Sequence, residues 1–378
     1  MAKEVQAAVV EKRNDPFVVK NVLVDDQPGP KEVLVHIVAS GICHSDEAVR
    51  VGDAGDLPLP IVLGHEGAGI VEKVGSAVSG VAVGDHVVLS YAYDGTCDHC
   101  LAGQPASCEQ WVPLNMGSGK RPNGKPVFTD TADTSKGLGS MFNQASFSTT
   151  TLVQESNVTV VGKDVDLRKV GPLGCGFVTG SGTVFNTLKP EPNSTIAIFG
   201  TGAVGSAALM AAKISGCSQI ISVDIVPERL AMSKEIGATA TVNSKEVDAV
   251  AAIKDLTAGK GVDYAVDTTG LSAVMKQAVE AMGINGVFAP LAVSQKELDL
   301  VPFNDLVATQ KSVVGVLMGN AVPQIEIKKL IAFWQKGLYP FDKLEKTFKF
   351  ADINAADQAS TSGEVIKPVL IMDENYTV

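Results

Sequence analysis

The sequence contains no apolar run close to the roughly 20 residues that a membrane-spanning helix requires. It also has no excess of basic residues. Its 31 Lys and Arg stand against 42 Asp and Glu, and the net charge of −11 disfavours non-specific nucleic-acid binding. The first residues lack the charged segment and the apolar segment of a secretory signal. We therefore expect a cytoplasmic protein with neither a membrane nor a nucleic acid as partner.

Repeats and low-complexity tracts are also absent, and the composition is that of a globular protein. With 378 residues, of which 45% are hydrophobic, the chain is long enough for two or three domains. The six cysteines do not predict a disulfide framework, because an intracellular chain of this size rarely depends on disulfides. Three of them, Cys97, Cys100 and Cys108, fall within twelve residues, and this clustering favours metal binding.

The pattern of apolar residues divides the chain into two domains. Short strand-like runs separated by Gly, Pro and Asp predict a compact, barrel-like β domain in residues 1–177. In residues 178–319, apolar strand-like runs alternate with helical stretches, which predicts a parallel sheet covered on both faces. The predicted strands are 18–24, 32–38, 68–74 and 86–90 in the first part, and 196–199, 219–223, 264–266, 286–289 and 313–317 in the second.

The C-terminal residues 320–378 contain an amphipathic helix around 326–334 and a strand-like run at 368–372. We expect this part of the chain to return to the first domain. Residues 113–142 are rich in Gly, Asp and Thr, and they predict a long loop.

The segment Gly200-Thr-Gly202-Ala-Val-Gly205 has the spacing of a dinucleotide-binding loop, with a strand-like run before it and a helical run after it. The glycines allow a tight turn, close approach of a pyrophosphate to the backbone, and packing of the helix on the strand. Asp224, 19 residues after Gly205, can accept hydrogen bonds from both adenosine ribose hydroxyls. It would repel a 2′-phosphate, so it favours NAD over NADP. The alternatives are a glycine-rich turn in an unrelated α/β protein and a site for another cofactor such as S-adenosylmethionine.

Three separate segments each contribute a candidate metal ligand. Cys43 lies in a turn after a strand-like run, His65 stands beside Glu66, and Cys175 lies where the β-rich part ends. Taken singly, a cysteine is usually a small core residue and a histidine is usually a hydrogen-bonded structural one. Two thiolates and one imidazole, with a fourth position open to water or substrate, are a ligand set of catalytic zinc.

These motifs resemble, in kind and in order, those of the zinc-containing medium-chain alcohol dehydrogenases. The resemblance covers essentially the whole chain and rests on Cys43, the signature Gly64-His65-Glu66-x2-Gly69-x5-Gly75, Cys175 and the loop 200–205. The stretch Cys43-His44-Ser45-Asp46, the intact residues 113–142 and the ending Lys367-Pro-Val-Leu look most like the aryl (benzyl) alcohol dehydrogenases.

The resemblance implies an α/β protein with two domains. A GroES-like, β-rich catalytic domain would be built from residues 1–177 and 320–378. Residues 178–319 would form a Rossmann domain, whose doubly wound parallel sheet binds NAD. The segment 313–317 resembles the edge strand through which dimers of this family pair, so we expect a homo-oligomer, either a dimer or a tetramer.

The resemblance also implies a role for each residue of the first metal site. It assigns the catalytic zinc to Cys43, His65 and Cys175, with Glu66 as a residue that can approach the metal transiently. Asp46 would hydrogen-bond the far nitrogen of His65 and fix its tautomer. Ser45 would pass the alcohol proton towards the nicotinamide ribose.

The cofactor contacts are implied in the same way. Besides Gly200, Gly202, Gly205 and Asp224, they comprise His44 and Lys367 at the pyrophosphate, Thr179 and Val204 at the nicotinamide ring, and Arg229. One departure concerns the proton relay, because many family members have a histidine three residues beyond the serine, and this chain has Ala48 there. The proton must then leave through bulk water or another group.

The cysteine cluster departs from the family pattern, in which four thiolates with the spacing C-x2-C-x2-C-x7-C hold a structural zinc. Here Asp94 occupies the first position, followed by Cys97, Cys100 and Cys108. In one interpretation the lobe has lost its metal and Asp94 is a solvated loop residue. In the other, which we favour, Asp94 is an oxygen ligand of a second zinc, because three thiolates without a metal would be easily oxidised.

Together these features predict an enzyme with two zinc ions per chain that transfers hydride between a primary alcohol or its aldehyde and NAD. We expect an aromatic or otherwise hydrophobic substrate. Ser90 falls where larger aromatic residues narrow the substrate channel in some relatives, although it could equally be a solvated strand end. Alternative substrates are the thiol adduct of formaldehyde and terpene or aliphatic alcohols. An alternative of another class is a catalytically silent Rossmann protein that keeps zinc as a scaffold.

Overall fold

The computed structural model describes residues 2–54, 57–294 and 296–378, which form two compact units. The first unit comprises Met1–Cys175, Val322–Ile331 and Asp342–Val378, and the second comprises Gly176–Ala321 and Ala332–Phe341. Within the described ranges, no helix has the length and apolar character needed to cross a membrane.

The strands are β1 (Ala2–Val10), β2 (Val18–Asp25), β3 (Glu32–Gly41), β4 (Ile61–Val62), β5 (Gly67–Val74), β6 (His86–Leu89), β7 (Phe128–Asp130), β8 (Gly137–Ser140), β9 (Thr150–Gln154), β10 (Val158–Val161), β11 (Thr195–Phe199), β12 (Gln219–Asp224), β13 (Ala240–Asn243), β14 (Val262–Asp267), β15 (Met282–Pro290), β16 (Ser312–Val313), β17 (Glu345–Lys349) and β18 (Lys367–Ile371).

The α-helices are α1 (His44–Val51), α2 (Asp98–Leu101), α3 (Trp111–Met116), α4 (Leu167–Val170), α5 (Gly176–Gly182), α6 (Ala203–Ile214), α7 (Pro227–Ile236), α8 (Ala249–Leu256), α9 (Ser272–Ala281), α10 (Pro323–Gln335) and α11 (Ile353–Thr361). Short 3₁₀ and π turns occupy several of the connections between them.

The first unit contains a closed barrel of strands in the order β1-β2-β7-β8-β4 and a sheet in the order β10-β6-β5-β3-β18-β17, in which β9 also pairs with β3. Strand β3 has partners on both edges, and nine of its ten residues are buried, which explains its continuous apolar sequence. Val35, Ile37 and Val71 pack in the core of this sheet. The C-terminal strand β18 pairs antiparallel with β3, so the end of the chain returns to the first unit as expected.

The second unit is built on an all-parallel sheet with the strand order β13-β12-β11-β14-β15-β16. Helices α6 to α9 connect successive strands, and buried Ala, Val, Ile and Phe side chains such as Phe199 and Phe288 form its core. The strand order reverses between β11 and β14. In doubly wound sheets the crevice for a nucleotide lies at such a reversal, at the carboxyl ends of the strands.

Two sequence predictions about secondary structure are wrong in part. Residues 113–142 are not one long loop, because β7 and β8 lie within them and pair with β2 and β4. Strands β7 and β8 also pair with each other, but both are short, and their further partners β2 and β4 are distant in the sequence, which local composition does not reveal. The strand expected at 313–317 is limited to Ser312–Val313, which pairs with β15 at the end of the sheet.

The domain boundaries also differ from those expected. Residues 332–341 belong to the second unit, although residues 320–378 were expected to belong entirely to the first. The reason is aromatic packing, because the ring of Phe341 lies 5.3 Å from those of Phe177 and Trp334. A hydrogen bond of 2.6 Å between the hydroxyls of Ser181 and Tyr339 fixes the same segment.

Candidate active site

Four side chains of the first unit converge on one point in its interior. One ligand atom from each of Cys43, His65, Glu66 and Cys175 lies within 4.8 Å of the others. His65 and Glu66 have no exposed surface, Cys175 is buried and Cys43 is half-buried. The structure thus brings together all four residues that the sequence indicated for the first metal site.

The carboxylate of Asp46 joins two of these ligand-bearing segments. Cys43 is the N-cap of α1, and its backbone N–H donates to Asp46 Oδ2 over 3.1 Å. Asp46 Oδ1 accepts a bond of 2.9 Å from the backbone N–H of Gly64 and lies 3.0 Å from Nδ1 of His65. Because a carboxylate accepts, Nδ1 carries the proton, and Nε2 of the imidazole is left with its lone pair free.

This arrangement fits a zinc ion. Nε2 of His65 is buried and has no hydrogen-bond partner in the described part of the chain, which is costly unless another group binds it. The hydrogen bond from Cys175 lowers the pKa of the Cys43 thiol against the opposing effect of burial. A thiolate, a second thiol and a free imidazole nitrogen are the donors that zinc prefers.

Lys367 lies against this cluster, where it is paired with Glu66. Its Nζ donates to both carboxylate oxygens of Glu66, at 3.0 and 2.9 Å, and to the carbonyl oxygen of Ile42 at 3.0 Å. Lys367 is only 2% exposed, and the three bonds use all three of its N–H donors. A contact of Lys367 with the pyrophosphate would have to share or replace one of these bonds, and it stays a prediction. Burial alone would lower the pKa of Lys367, but the charge of Glu66 raises it instead.

The residues beside Cys43 lie in the first turns of α1. Ser45 is half-buried, and its Oγ lies 3.8 Å from the sulfur of Cys43. His44 is exposed at the start of the helix, and Ala48 is buried one turn further along. A hydroxyl thus stands beside the metal-ligand cluster, where it could exchange a proton with a bound molecule.

The second predicted metal site is also assembled within the first unit. One ligand atom from each of Asp94, Cys97, Cys100 and Cys108 lies within 4.8 Å of the others. Asp94 Oδ1 accepts bonds from the backbone N–H groups of Thr96 at 2.6 Å and Cys97 at 2.9 Å, which lower the pKa of the Asp94 carboxyl. These bonds engage Oδ1 of Asp94 and fix the orientation of the carboxylate, so Oδ2 is the oxygen left to bind a metal. A ligand set of three sulfurs and one oxygen is compatible with tetrahedral zinc.

The glycine-rich loop of the second unit has the expected geometry. Gly200 has a positive φ of 84°, and a Cβ on Gly205 would lie 1.9 Å from the carbonyl oxygen of Gly200. A Cβ on Gly202 would meet no atom within 4 Å, so the backbone there is open to a ligand. Gly202 is also the N-cap of the twelve-residue helix α6 and offers no side-chain cap. The free N–H groups of the first turn fit a pyrophosphate.

The carboxylate of Asp224 already has four hydrogen-bond donors. Its Oδ2 accepts from the backbone N–H and the hydroxyl of Thr201, each at 2.7 Å. Its Oδ1 accepts from the backbone N–H groups of Ile225 at 2.7 Å and Val226 at 3.0 Å. A ribose that binds Asp224 must therefore replace or share these bonds, and its contact with Asp224 stays a prediction. Thr201 was not recognised in the sequence, although it lies inside the glycine motif.

The remaining predicted cofactor residues also lie in the second unit. Val204 is half-buried in the first turn of α6, and Arg229 lies in α7. Thr179 is half-buried in α5, with its Oγ1 3.9 Å from the sulfur of Met318. Their contacts with NAD stay predictions.

Sequence reasoning missed two side chains that touch the first site. The ring of Phe142 lies on the imidazole of His65, with 4.7 Å between ring centroids. The amide of Gln144 donates to the carbonyl oxygen of His65 at 3.1 Å. No motif marks either residue. Of the two alternatives for Ser90, the solvated strand end is wrong, because Ser90 is fully buried and its hydroxyl donates to the carbonyl oxygen of Gly174 at 2.6 Å.

Comparison with known proteins agrees with this geometry. Residues 29–163 match the family of alcohol dehydrogenase GroES-like domains, and residues 203–336 match the family of zinc-binding dehydrogenases. The chain is 38% identical to geraniol dehydrogenase of Castellaniella defragrans, over 97% of both chains. It is 33% identical to a probable S-(hydroxymethyl)glutathione dehydrogenase of Schizosaccharomyces pombe, over 98% of this chain and 97% of that one.

Among solved structures, benzyl alcohol dehydrogenase of Acinetobacter calcoaceticus is similar to this chain with a TM-score of 0.93 and 41% identity. The match covers 98% of this chain and 100% of that one. The converging thiols and imidazole, the glycine-rich loop and these similarities lead to one conclusion. The chain belongs to the zinc-containing medium-chain alcohol dehydrogenase family and is a zinc- and NAD-dependent oxidoreductase of alcohols.

Proposed function

We propose that the protein interconverts hydrophobic primary alcohols, aromatic ones above all, and their aldehydes at the site formed by Cys43, His65 and Cys175. The observation that carries this proposal is the buried Nε2 of His65, which has no hydrogen-bond partner among the described residues and shares one cluster with the two sulfurs. The ring of Phe142 covers His65, and Trp111 meets Phe142 edge-on with 5.6 Å between ring centroids. Aromatic rings therefore lie against the imidazole of His65, which suits a hydrophobic substrate.

Cys43, His65 and Cys175 would hold the catalytic zinc, with Glu66 within reach of the same point. Zinc supplies a Lewis acid that lowers the pKa of an alcohol, and NAD supplies the hydride acceptor. The protein's contribution begins with Asp46, which keeps the proton of His65 on Nδ1 and thereby presents Nε2 as a ligand. The salt bridge with Lys367 neutralises Glu66 and so limits negative charge at the site.

Ser45 would accept the proton of the substrate hydroxyl at its Oγ. Its place beside Cys43 puts the hydroxyl next to the cluster, and its half-buried position gives the proton a way to solvent. Because Ala48 cannot carry a proton, we propose that water takes it directly from Ser45 or from the ribose hydroxyl to which Ser45 would bind.

The proposed activity is tested by mixing the protein with NAD and benzyl alcohol and recording absorbance at about 340 nm, where the reduced nicotinamide absorbs. We expect this absorbance to increase when the alcohol is present. After prolonged treatment of the protein with a zinc chelator, we expect no increase. A protein that holds zinc and NAD without producing this signal for any alcohol tested would be a silent scaffold.

Substrate class is tested by kcat/KM values for benzyl alcohol, geraniol, ethanol and S-(hydroxymethyl)glutathione. We expect benzyl alcohol and geraniol to exceed ethanol by at least about 10²-fold, because their apolar groups bind aromatic side chains in the transition state. If kcat/KM were highest for S-(hydroxymethyl)glutathione, the enzyme would instead be assigned to oxidation of the formaldehyde adduct.

We also propose that Asp94, Cys97, Cys100 and Cys108 hold the second zinc, which has a structural role. Asp94→Ala is expected to reduce the zinc content from two ions to one per chain and to lower the melting temperature by several degrees, because three thiols lose their metal. Asp94→Cys is expected to keep both ions. Elemental analysis and thermal unfolding measure these effects.

The matched control is Asp98→Ala, which removes an exposed carboxylate from the same loop without touching the ligand cluster. It should keep both zinc ions and the wild-type melting temperature. If Asp94→Ala behaves like Asp98→Ala, the lobe is metal-free and Asp94 is a solvated loop residue.

Finally, we propose a homo-oligomer that assembles at the β16 edge of the second unit and works in the cytoplasm. Apolar side chains near this edge are exposed, among them Phe303 at 67% and Val307 at 64%, and β16 itself has a free edge within the described sheet. The six free thiols suit a reducing compartment. Light scattering should give a dimer or a tetramer, and a monomer would contradict the assembly.

A further inference from the structure

Two fully buried side chains connect the segments that carry His65 and Cys175. The hydroxyl of Ser90 donates to the carbonyl oxygen of Gly174, the residue before Cys175, at 2.6 Å. The carbonyl oxygen of Ser90 accepts a bond of 3.1 Å from Nε2 of Gln144. The same Nε2 donates to the carbonyl oxygen of His65 at 3.1 Å. A bridge through Ser90 and Gln144 therefore connects the backbone of His65 with that of Gly174, next to Cys175.

We propose that Ser90 and Gln144 are positioning residues of the catalytic zinc site. They hold the backbone of Cys175 at a fixed distance and orientation relative to the backbone of His65. The inference rests on the proposed function in one respect, since the site must hold zinc. Neither side chain would touch the metal or the substrate, and each would act through the ligand segments that it ties together.

Gln144 holds the His65 segment from both sides. Its Oε1 accepts the backbone N–H of Gly67 at 2.9 Å, while its Nε2 binds the carbonyl oxygen of His65. The two peptide groups that flank Glu66 are thereby fixed by one amide. Gln144 itself is held in place, since its backbone carbonyl accepts the hydroxyl of Thr151 at 2.6 Å.

The backbone around Gln144 also points to a functional role. Phe142, Asn143 and Ala145 all have positive φ, between 50° and 56°, which is unfavourable for residues with a side chain. Such strain persists only where the surrounding structure enforces it, and it concentrates at functional sites. Here the strained segment places the ring of Phe142 on His65 and the amide of Gln144 on its backbone.

Ser90 reaches the Cys175 segment because the two backbones are in close contact. A Cβ on Gly174 would lie 1.9 Å from the carbonyl oxygen of Leu89, so only glycine fits there. Together with Asp46, which joins Cys43 to His65, the bridge through Ser90 and Gln144 links all three zinc-ligand segments. Outer hydrogen bonds of this kind commonly contribute about 10–100-fold to metal affinity.

The test compares Ser90→Ala with Ser140→Ala. Ser140 is also buried, and its hydroxyl donates to the carbonyl oxygen of a glycine, Gly119, at 3.0 Å, so its loss has a similar structural cost. Zinc release from each holoenzyme to a chromophoric chelator is followed alongside NAD reduction. With two zinc ions per chain, zinc release can have two phases. The phase that coincides with loss of NAD reduction is the release of the catalytic zinc. We expect Ser90→Ala to accelerate this phase by about 10-fold or more, and Ser140→Ala to leave it at the wild-type rate.

A second pair tests the amide. Gln144→Met and Asn115→Leu each remove a buried amide with three bonds to the backbone, but those of Asn115 go to Ala92 and Trp111. Both should lower the melting temperature, and only Gln144→Met should accelerate release of the catalytic zinc. Equal release rates in Ser90→Ala, Gln144→Met and wild type would overturn the inference while leaving the zinc site intact. Wild-type protein with no zinc at Cys43, His65 and Cys175 would instead overturn the proposed function.

Discussion

Replacing Ser45 with alanine should lower kcat for benzyl alcohol oxidation by about 10²–10⁴-fold, the usual contribution of a general acid or base. The hydroxyl stands beside Cys43 and would take the substrate proton, an interaction that strengthens as the proton leaves. We expect kcat and kcat/KM to fall together, since the lost contact matters mainly in the transition state. Stopped-flow measurement of nicotinamide reduction reports this step directly.

The control for this prediction is Ser45→Thr, which keeps the hydroxyl and should retain most of the activity. A fluorescence titration with the reduced cofactor should give nearly the same Kd for Ser45→Ala and wild type. An alanine variant as active as wild type would show that the proton does not pass through Ser45.

The second large effect is expected at Asp224. Wild type should prefer NAD strongly, because the carboxylate is only 7% exposed and would face the 2′-phosphate of NADP in a partly buried site. In Asp224→Ser the ratio of kcat/KM for NAD to that for NADP should fall by about 10²–10³-fold, with NAD weakened and NADP improved. Steady-state kinetics with each cofactor at saturating alcohol measure the ratio.

Thr201→Val is the matched control for the change at Asp224. It removes the hydroxyl that donates to Asp224 but keeps the charge and the backbone N–H bond of residue 201. Its preference for NAD should therefore stay close to that of wild type, even if both variants unfold at lower temperature. Wild-type protein that uses NAD and NADP equally would show that the carboxylate does not face the ribose.

The parts of the structure that depend on local sequence could be predicted well. The strands β3 and β11 appear as apolar runs, because both are buried on two faces. The glycine spacing of 200–205 is specific, since a Cβ on Gly205 would collide with the carbonyl of Gly200. The ligands Cys43, His65 and Cys175 could be recognised because zinc restricts the residue types that can bind it.

The parts that depend on distant contacts could not be predicted. The ion pair of Lys367 with Glu66 could not be foreseen, because the two residues lie 301 positions apart in the sequence and are buried together only in the folded chain. Arg121, in the expected loop, is likewise buried against Glu32, with 2.9 Å between its Nε and Oε1. A charged side chain in a polar sequence is expected to face water, and only the folded structure reveals that its counter-charge lies in the core.

The same reason applies to Ser90 and Gln144. Neither residue belongs to a motif, and their role depends on hydrogen bonds to the carbonyl oxygens of Gly174 and His65, which lie 84 and 79 residues away. Sequence spacing therefore identified the atoms that would touch the zinc. Asp46, which orients His65, was also expected from the resemblance, whereas the contacts of Ser90 and Gln144 became visible only in the structure.

The most direct test of the zinc site compares His65→Ala with His99→Ala. His65 is the buried imidazole of the ligand cluster, whereas His99 is exposed beside Cys100 and belongs to neither ligand set. For each variant and wild type, elemental analysis gives zinc per chain, and absorbance at about 340 nm gives NAD reduction by benzyl alcohol. We expect two zinc ions and full activity in wild type and His99→Ala, and one zinc ion with no activity in His65→Ala, which keeps its second zinc because it remains folded. Two zinc ions and wild-type activity in His65→Ala would contradict the assignment of this site to catalysis.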